Sequence, residues 1–491
     1  MKAITIIVIV YELTELLEYD NARKGICDTM KSYELQPTHE NIMATLADNL
    51  IDRNKDVFRF TTLLDNIDDS CSIALDGRWG SGKTFFVKQI KMILEAYNPF
   101  YKDAASDENA LIKSYMETCK QHGDEIPNLQ PQVAVYYDSW ANDNDVDPIL
   151  SIIYEIIQSV NSDFSFKKGK SCMQVAGTIA EFFTGKKVTA LIDLSKEEDP
   201  FAKLREQKNI HELISAFLEN LLAEQGNRLV VFVDELDRCK PNYAVQLLER
   251  IKHYFSSDLV TFVFSVNLDQ LQHTIKRYYG NDFDACRYLD RFFDLRISLP
   301  PANLTRYYQK IGLNNGSYVY ENVCRAVIKV NHFELREIAK FYRVAKTAAY
   351  KPTHGNYHFG FSDEKALQFC LLYVVPIMIG TKISNIERYS AFVKGEDSSP
   401  LIEVMNSGEL GVSMCSSLLN MKETFSEPKQ QSEVLVKLTD KLNTVYNALF
   451  TQDYSNSIYE KHIGDLSFSQ STHDDLMRIV SLLSDFSDFC I

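Results

Sequence analysis

The apolar residues of this chain fall into two rhythms. Short unbroken runs rich in β-branched and aromatic residues occur at Cys71 to Leu75, Val133 to Tyr137 (VAVYY), Leu229 to Val233 (LVVFV), Leu259 to Val266 (LVTFVFSV) and Leu295 to Leu299 (LRISL). Runs of this length without polar alternation predict strands buried on both faces. Between them lie stretches with helical spacing, among them Thr84 to Tyr97 and, opened by Pro241, Asn242 to Phe255. Strands separated by helices imply a parallel sheet, since parallel neighbours need a crossover between them. Ahead of the first strand, residues 40–64 carry a helical pattern with Ile42, Leu46, Leu50 and Ile51 apolar. After Pro300-Pro301 the rhythm turns mainly helical, with loops at Asn314 to Gly316, His354 to Gly360 and Gly395 to Pro400. The pattern divides the chain into a helical leading segment (1–64), an α/β core (65–302) and a helical C-terminal region (303–491).

Two apolar stretches test whether the chain meets a membrane. Ala3 to Leu13 is too short to span and is followed by Glu15, Glu18 and Asp20, so it predicts a buried strand or an amphipathic segment, unless the gene start is extended ahead of Met30. Phe369 to Gly380 is broken by Pro376 and predicts a buried helix. The expectation is a cytoplasmic chain with no integral membrane contact. Ten cysteines, none in a CxxC pair, fit reduced thiols in that compartment. A net charge of -15 argues against nucleic-acid binding over the whole surface and leaves only a local basic patch open. Residues 161–200 hold Lys167, Lys168, Lys170, Lys186 and Lys187 and read as an insertion between the second and third strands.

The sharpest chemistry follows the first strand. Gly77-Arg78-Trp79-Gly80-Ser81-Gly82-Lys83-Thr84 fits GxxxxGK[ST] with a strand before it and a helix after it. A triphosphate needs many donors at close range. Glycines let the backbone turn so that successive amides face the phosphates, and the helix that follows adds its positive end. In this Walker A arrangement Lys83 would reach the β- and γ-phosphates, and the Thr84 hydroxyl would hold Mg²⁺. The third strand ends in Asp234-Glu235, a Walker B pattern in which Asp234 binds magnesium and Glu235 polarises water. Asp237 could touch magnesium-bound water or cap the next helix. The fourth strand ends Val266-Asn267-Leu268-Asp269, without the lysine of the guanine-selective NKxD motif, which favours ATP. Asn267 stands there either as a polar sensor of the γ-phosphate or as a turn-forming residue. His354 and His358 have HxxxH spacing but no evident further metal ligand.

Together GxWGSGKT (Gly77 to Thr84), Trp140 after the second strand, VDELDRCKP (Val233 to Pro241) and YLDRFFDLRISLP (Tyr288 to Pro300) resemble the KAP family of P-loop NTPases over roughly residues 40–400. Glu235 departs from that family's usual DDLDR, and the membrane helices that many relatives carry between the two nucleotide motifs are missing. The resemblance implies an additional-strand ATPase core and a helical C-terminal region that senses nucleotide. It also implies that Arg291 is an arginine near a γ-phosphate, although a surface ion pair explains that residue as well. Arg336 has the same two readings for the C-terminal lid, and Trp140 reads as packing. The function so implied is a Mg²⁺-dependent ATP-hydrolysing switch that self-associates and works with a protein partner, by analogy in anti-phage or anti-plasmid defence. A nucleotide-binding scaffold with negligible hydrolysis and a membrane-peripheral organiser are the alternatives. Leu476, Ile479, Val480, Leu482, Leu483 and Phe486 in the last helix offer an apolar face, for a partner or for the chain's own domain.

Overall fold

A computed structural model of the chain describes residues 35–101, 107–118, 129–145, 147–160, 179, 202–255, 257–313, 319–350, 364–407, 428–452, 460–464 and 466–487. The apolar N-terminal stretch, the lysine-rich insertion (apart from Ile179) and the two histidines of HxxxH lie outside these residues. Two compact units divide at Leu304 and Thr305, and the first runs from Gln36 to Leu304.

In that unit the elements run α1 (His39–Asp48), α2 (Asn54–Asp65), β1 (Cys71–Asp76), α3 (Lys83–Tyr97), α4 (Asp107–Thr118), β2 (Gln132–Asp138) and α5 (Pro148–Ser159). They continue with α6 (Ala202–Gln225), β3 (Arg228–Asp234), α7 (Pro241–Tyr254), β4 (Val260–Val266), α8 (Leu268–Tyr279), α9 (Ala285–Leu289) and β5 (Leu295–Ser298). The five strands pair in parallel in the order β2-β3-β4-β1-β5. The sheet is therefore the additional-strand type expected from the sequence, with β4 between the strand that precedes the glycine loop and the strand that ends in Asp234.

Successive side chains of a strand point to opposite faces, so each strand feeds two cores. Leu229, Val231 and Val233 of β3 pack with α5, α6, α7 and α8, whereas Val230 and Phe232 pack with α1, α2 and α3. Every residue of β3 and β4 is buried, which is why their runs are apolar without alternation. β5 departs from the expectation of burial on both faces. It pairs only with β1, and Leu295, Arg296 and Ser298 are exposed, as an edge strand permits.

The leading helical pattern of residues 40–64 is divided between two helices. α1 ends at Asn49 (φ 45°), and the chain turns through Asp52 (φ 56°) before α2 begins. Asn and Asp tolerate this left-handed geometry better than most residues. Here the Asn49 amide donates to the Asp52 carboxylate at 3.0 Å and accepts from the Asn54 N–H at 3.1 Å. Both helices belong to the unit that holds the sheet rather than preceding it.

The second unit is mainly helical in its described part, with a small antiparallel pair, Lys461–Ile463 and Leu466–Phe468. Lys365–Ser384 is long and apolar enough to cross a membrane, but most of it is buried within the protein, as the sequence reading of this stretch expected. This segment contains a π-turn at Cys370–Val374, separated from Pro376 by Val375. Proline removes a helical donor and crowds the preceding turn, and the wider turn accommodates it. In the last helix, Gln470–Ser487, Leu476 and Val480 are buried in the chain's own fold and are not available to a partner.

Candidate nucleotide site

Parallel strands bring their C-terminal ends to one edge of the sheet, where the loops that follow can converge. The loop after β1 turns at Gly80 (φ 81°) and Gly82 (φ 92°), a region that side-chain-bearing residues avoid, and Gly82 opens α3. A Cβ on Gly77 would lie 3.0 Å from Ser81 Oγ and 3.3 Å from Leu299 Cβ, so the loop packs tightly against the end of β5. Lys83 is buried beneath it, and its Nζ donates to the carbonyls of Gly77 (2.6 Å) and Arg78 (3.2 Å). Burial holds its ammonium below the usual lysine range, against the opposing pull of Asp237, Asp234, Glu235 and Asp76.

The Thr84 hydroxyl donates to Asp234 Oδ2 at 2.8 Å, so the loop and the end of β3 meet although β4 separates their strands. Tyr136 on β2 donates to the same oxygen at 3.0 Å, and the Glu235 N–H donates to Asp234 Oδ1 at 3.0 Å. Glu235 takes a left-handed backbone (φ 62°). Burial, then the neighbouring charge of Asp234, pushes its carboxyl up to about 7, with Arg238 pulling the other way. Burial likewise raises Asp237, whose carboxylate accepts from Trp79 Nε1. Asp237 does not cap α7, whose N-cap is Lys240. Asn267 caps α8, its side chain accepting from the Gln270 N–H at 3.3 Å. The same stretch is tied to the loop, since the Gly77 N–H donates to the Val266 carbonyl.

The structure thus gathers Gly77, Arg78, Trp79, Gly80, Ser81, Gly82, Lys83, Thr84, Asp234, Glu235 and Asn267 at one end of the sheet. It does not bring Arg291 there. β5 runs parallel to β1 with Leu295 beside Ile73, and the Asp294 N–H donates to Ser72, so Arg291 precedes the far end of β1. At about 3.3 Å per residue, the strand puts it well over 10 Å from the glycine loop. Its side chain is exposed, and its carbonyl accepts from Lys252 Nζ. Arg336 lies on the helix Leu335–Ala345 of the second unit.

Three further residues belong to this cluster. Buried Arg53 donates from Nη1 to the Ser81 carbonyl at 2.6 Å, fixing the glycine loop from the turn before α2. Tyr136 holds Asp234, and Arg238 is paired with Glu235. Of these only Arg238 stood in a recognisable motif; Arg53 and Tyr136 act across distances that no local pattern encodes. Trp140, read as packing, is 53% exposed and stands beside Arg238.

Hydroxyl and carboxylate oxygens form a hard donor set that suits a divalent cation such as Mg²⁺. Among the described residues there is no cluster of three or more His, Cys, Asp or Glu that could hold a metal ion. Over 76 residues the chain is 36% identical to an uncharacterized protein of Methanocaldococcus jannaschii, covering 15% of this chain and 39% of that relative. The chain thus spans well under half of the relative's length. Residues 45–314 match the KAP family P-loop domain, more than half of the 491 residues, and this chain therefore belongs to the KAP family of P-loop NTPases.

Proposed function

We propose that the chain is a Mg²⁺-dependent ATPase that uses nucleotide binding as a switch. The observation that carries this reading is the direct bond between the Thr84 hydroxyl and Asp234, with Glu235 as the next residue. Thr84 and Asp234 would hold magnesium, which supplies positive charge to the phosphates when bound. Lys83 exchanges the carbonyls of Gly77 and Arg78 for phosphate oxygens and neutralises charge as it develops. Glu235 orients a water for in-line attack on the γ-phosphorus and accepts its proton. The bond to the bridging oxygen breaks, giving ADP and phosphate. Self-association, with Arg291 serving a neighbouring copy's site, belongs to the same reading, since this exposed arginine stands away from its own copy's glycine loop. A role in defence with a partner protein extends the reading, and co-expression with neighbouring genes under phage challenge tests it. The test of the core proposal is phosphate release from ATP with and without Mg²⁺. Turnover should vanish in Glu235→Gln while ATP binding persists; equal turnover in that variant would overturn the assignment.

A further inference from the structure

Resting on that reading, we propose that Arg238 is a positioning residue for hydrolysis, fixing the carboxylate of Glu235 while the indoles of Trp79 and Trp140 fix its own guanidinium. The short 3₁₀ turn Leu236–Arg238 returns the chain so that Arg238 Nε pairs with Glu235 Oε2 and the Arg238 N–H donates to the Glu235 carbonyl at 3.1 Å. One carboxylate oxygen is thereby engaged through Nε of a planar guanidinium.

The guanidinium itself is held by aromatic faces. Its carbon lies 5.9 Å from the Trp79 ring centroid and 5.5 Å from that of Trp140, within range for cation–π attraction. These are the only two tryptophans of the chain, and they remain 45% and 53% exposed. Neither contributes to a buried core, so packing does not account for them.

Each indole arrives from a different part of the site. Trp79 is in the glycine loop and is tied to the carboxylate turn through Asp237. Trp140 follows β2, where the Ser139 N–H donates to the Asp234 carbonyl at 3.0 Å. The loop that wraps phosphates and the two turns at the strand ends thus meet on one guanidinium.

The experiment uses the full chain and measures kcat, KM for ATP and intrinsic tryptophan emission. Arg238→Ala should lower kcat by about ten- to a hundredfold, the scale for a misplaced catalytic group, with KM within about twofold. Arg238→Lys keeps a charge without the planar fork and should recover only part of the loss. Trp140→Ala removes one aromatic face and should lower kcat in the same direction as Arg238→Ala but by less; wild-type kcat there would overturn the role given to this indole. Emission in Arg238→Ala should shift to the red and become more accessible to acrylamide, because both indoles lose the cation. Wild-type kcat in Arg238→Ala, or a raised KM at constant kcat, overturns the proposal. Should Arg238→Ala fail to fold, full activity in Arg238→Lys overturns it equally. If the wild-type chain shows no turnover, the ATPase reading fails by itself. Emission then decides separately, since unchanged spectra in both Arg238 variants would remove the indole–guanidinium contact.

Discussion

Glu235→Gln should make the nucleotide-free, metal-free protein more stable at neutral and alkaline pH while it abolishes turnover. Burial and the charge of Asp234 raise the Glu235 carboxyl from its ordinary 4.5 to about 7. A carboxyl raised on folding contributes stability that is fully present below the unfolded value and is lost as pH rises through the folded one. At pH 8 the folded protein therefore carries a penalty of roughly 3 kcal/mol relative to its protonated form. Glutamine resembles that protonated form in shape and does not ionise. The variant should exceed wild type by up to this amount at pH 8, and the gap should close as pH falls from 7 towards 4.5. For a unit of this size about 2–4 °C accompanies each kcal/mol, so a melting shift on the order of 5–10 °C is expected at pH 8. Thermal unfolding in chelator across this range reads it. A variant no more stable than wild type at pH 8 would refute the claim that Glu235 is held ionised at a cost beside Asp234 and Asp237.

Lys83→Ala should fold and lose affinity for labelled ATP by several tens-fold or more, since a charge-assisted phosphate contact is worth about 2–4 kcal/mol; unchanged binding would sink the site. Arg291→Ala should abolish any rise of specific activity with protein concentration, and mixing it with Lys83→Ala should restore some turnover if one copy's arginine serves another copy's loop. Gly380→Ala would place a Cβ 2.2 Å from Val327 Cγ1. Overpacking of this kind should cost about 1–3 kcal/mol in denaturant unfolding, and an unchanged midpoint would contradict that helix contact.

The strands and the glycine loop were legible because their signals are local. β-Branched apolar runs mark β3 and β4, and GxxxxGKT prescribes its own turn. Asp234 and Glu235 could be placed because a strand end fixes where its last residues stand. The break between α1 and α2 was hidden, since Leu50 and Ile51 continue the apolar rhythm through the turn that Asn49 and Asp52 impose. Arg53 and Tyr136 were invisible for another reason. Their partners, Ser81 and Asp234, lie 28 and 98 residues away, and only the pairing of strands and the packing of α2 bring them close. For Trp140 the sequence leaves core and loop packing open; its exposure excludes the core, and its neighbour is the Arg238 guanidinium, which no local pattern encodes.

The π-turn at Cys370–Val374 has a consequence for the phase of the helix that follows. An α-helix advances about 100° per residue, so one extra residue in a turn rotates everything beyond it by that angle. In Val375–Ser384 every residue from Val375 to Thr381 is buried, so polarity alone does not decide which side faces which neighbour. Gly380 decides it, because only the side without a Cβ can lie against Val327. Deleting a single residue within Cys370–Val374 would allow a regular α-helix and leave its composition almost untouched. It would also swing Gly380 away and present a larger side chain to Val327, so this stretch should tolerate substitution better than any change in its length.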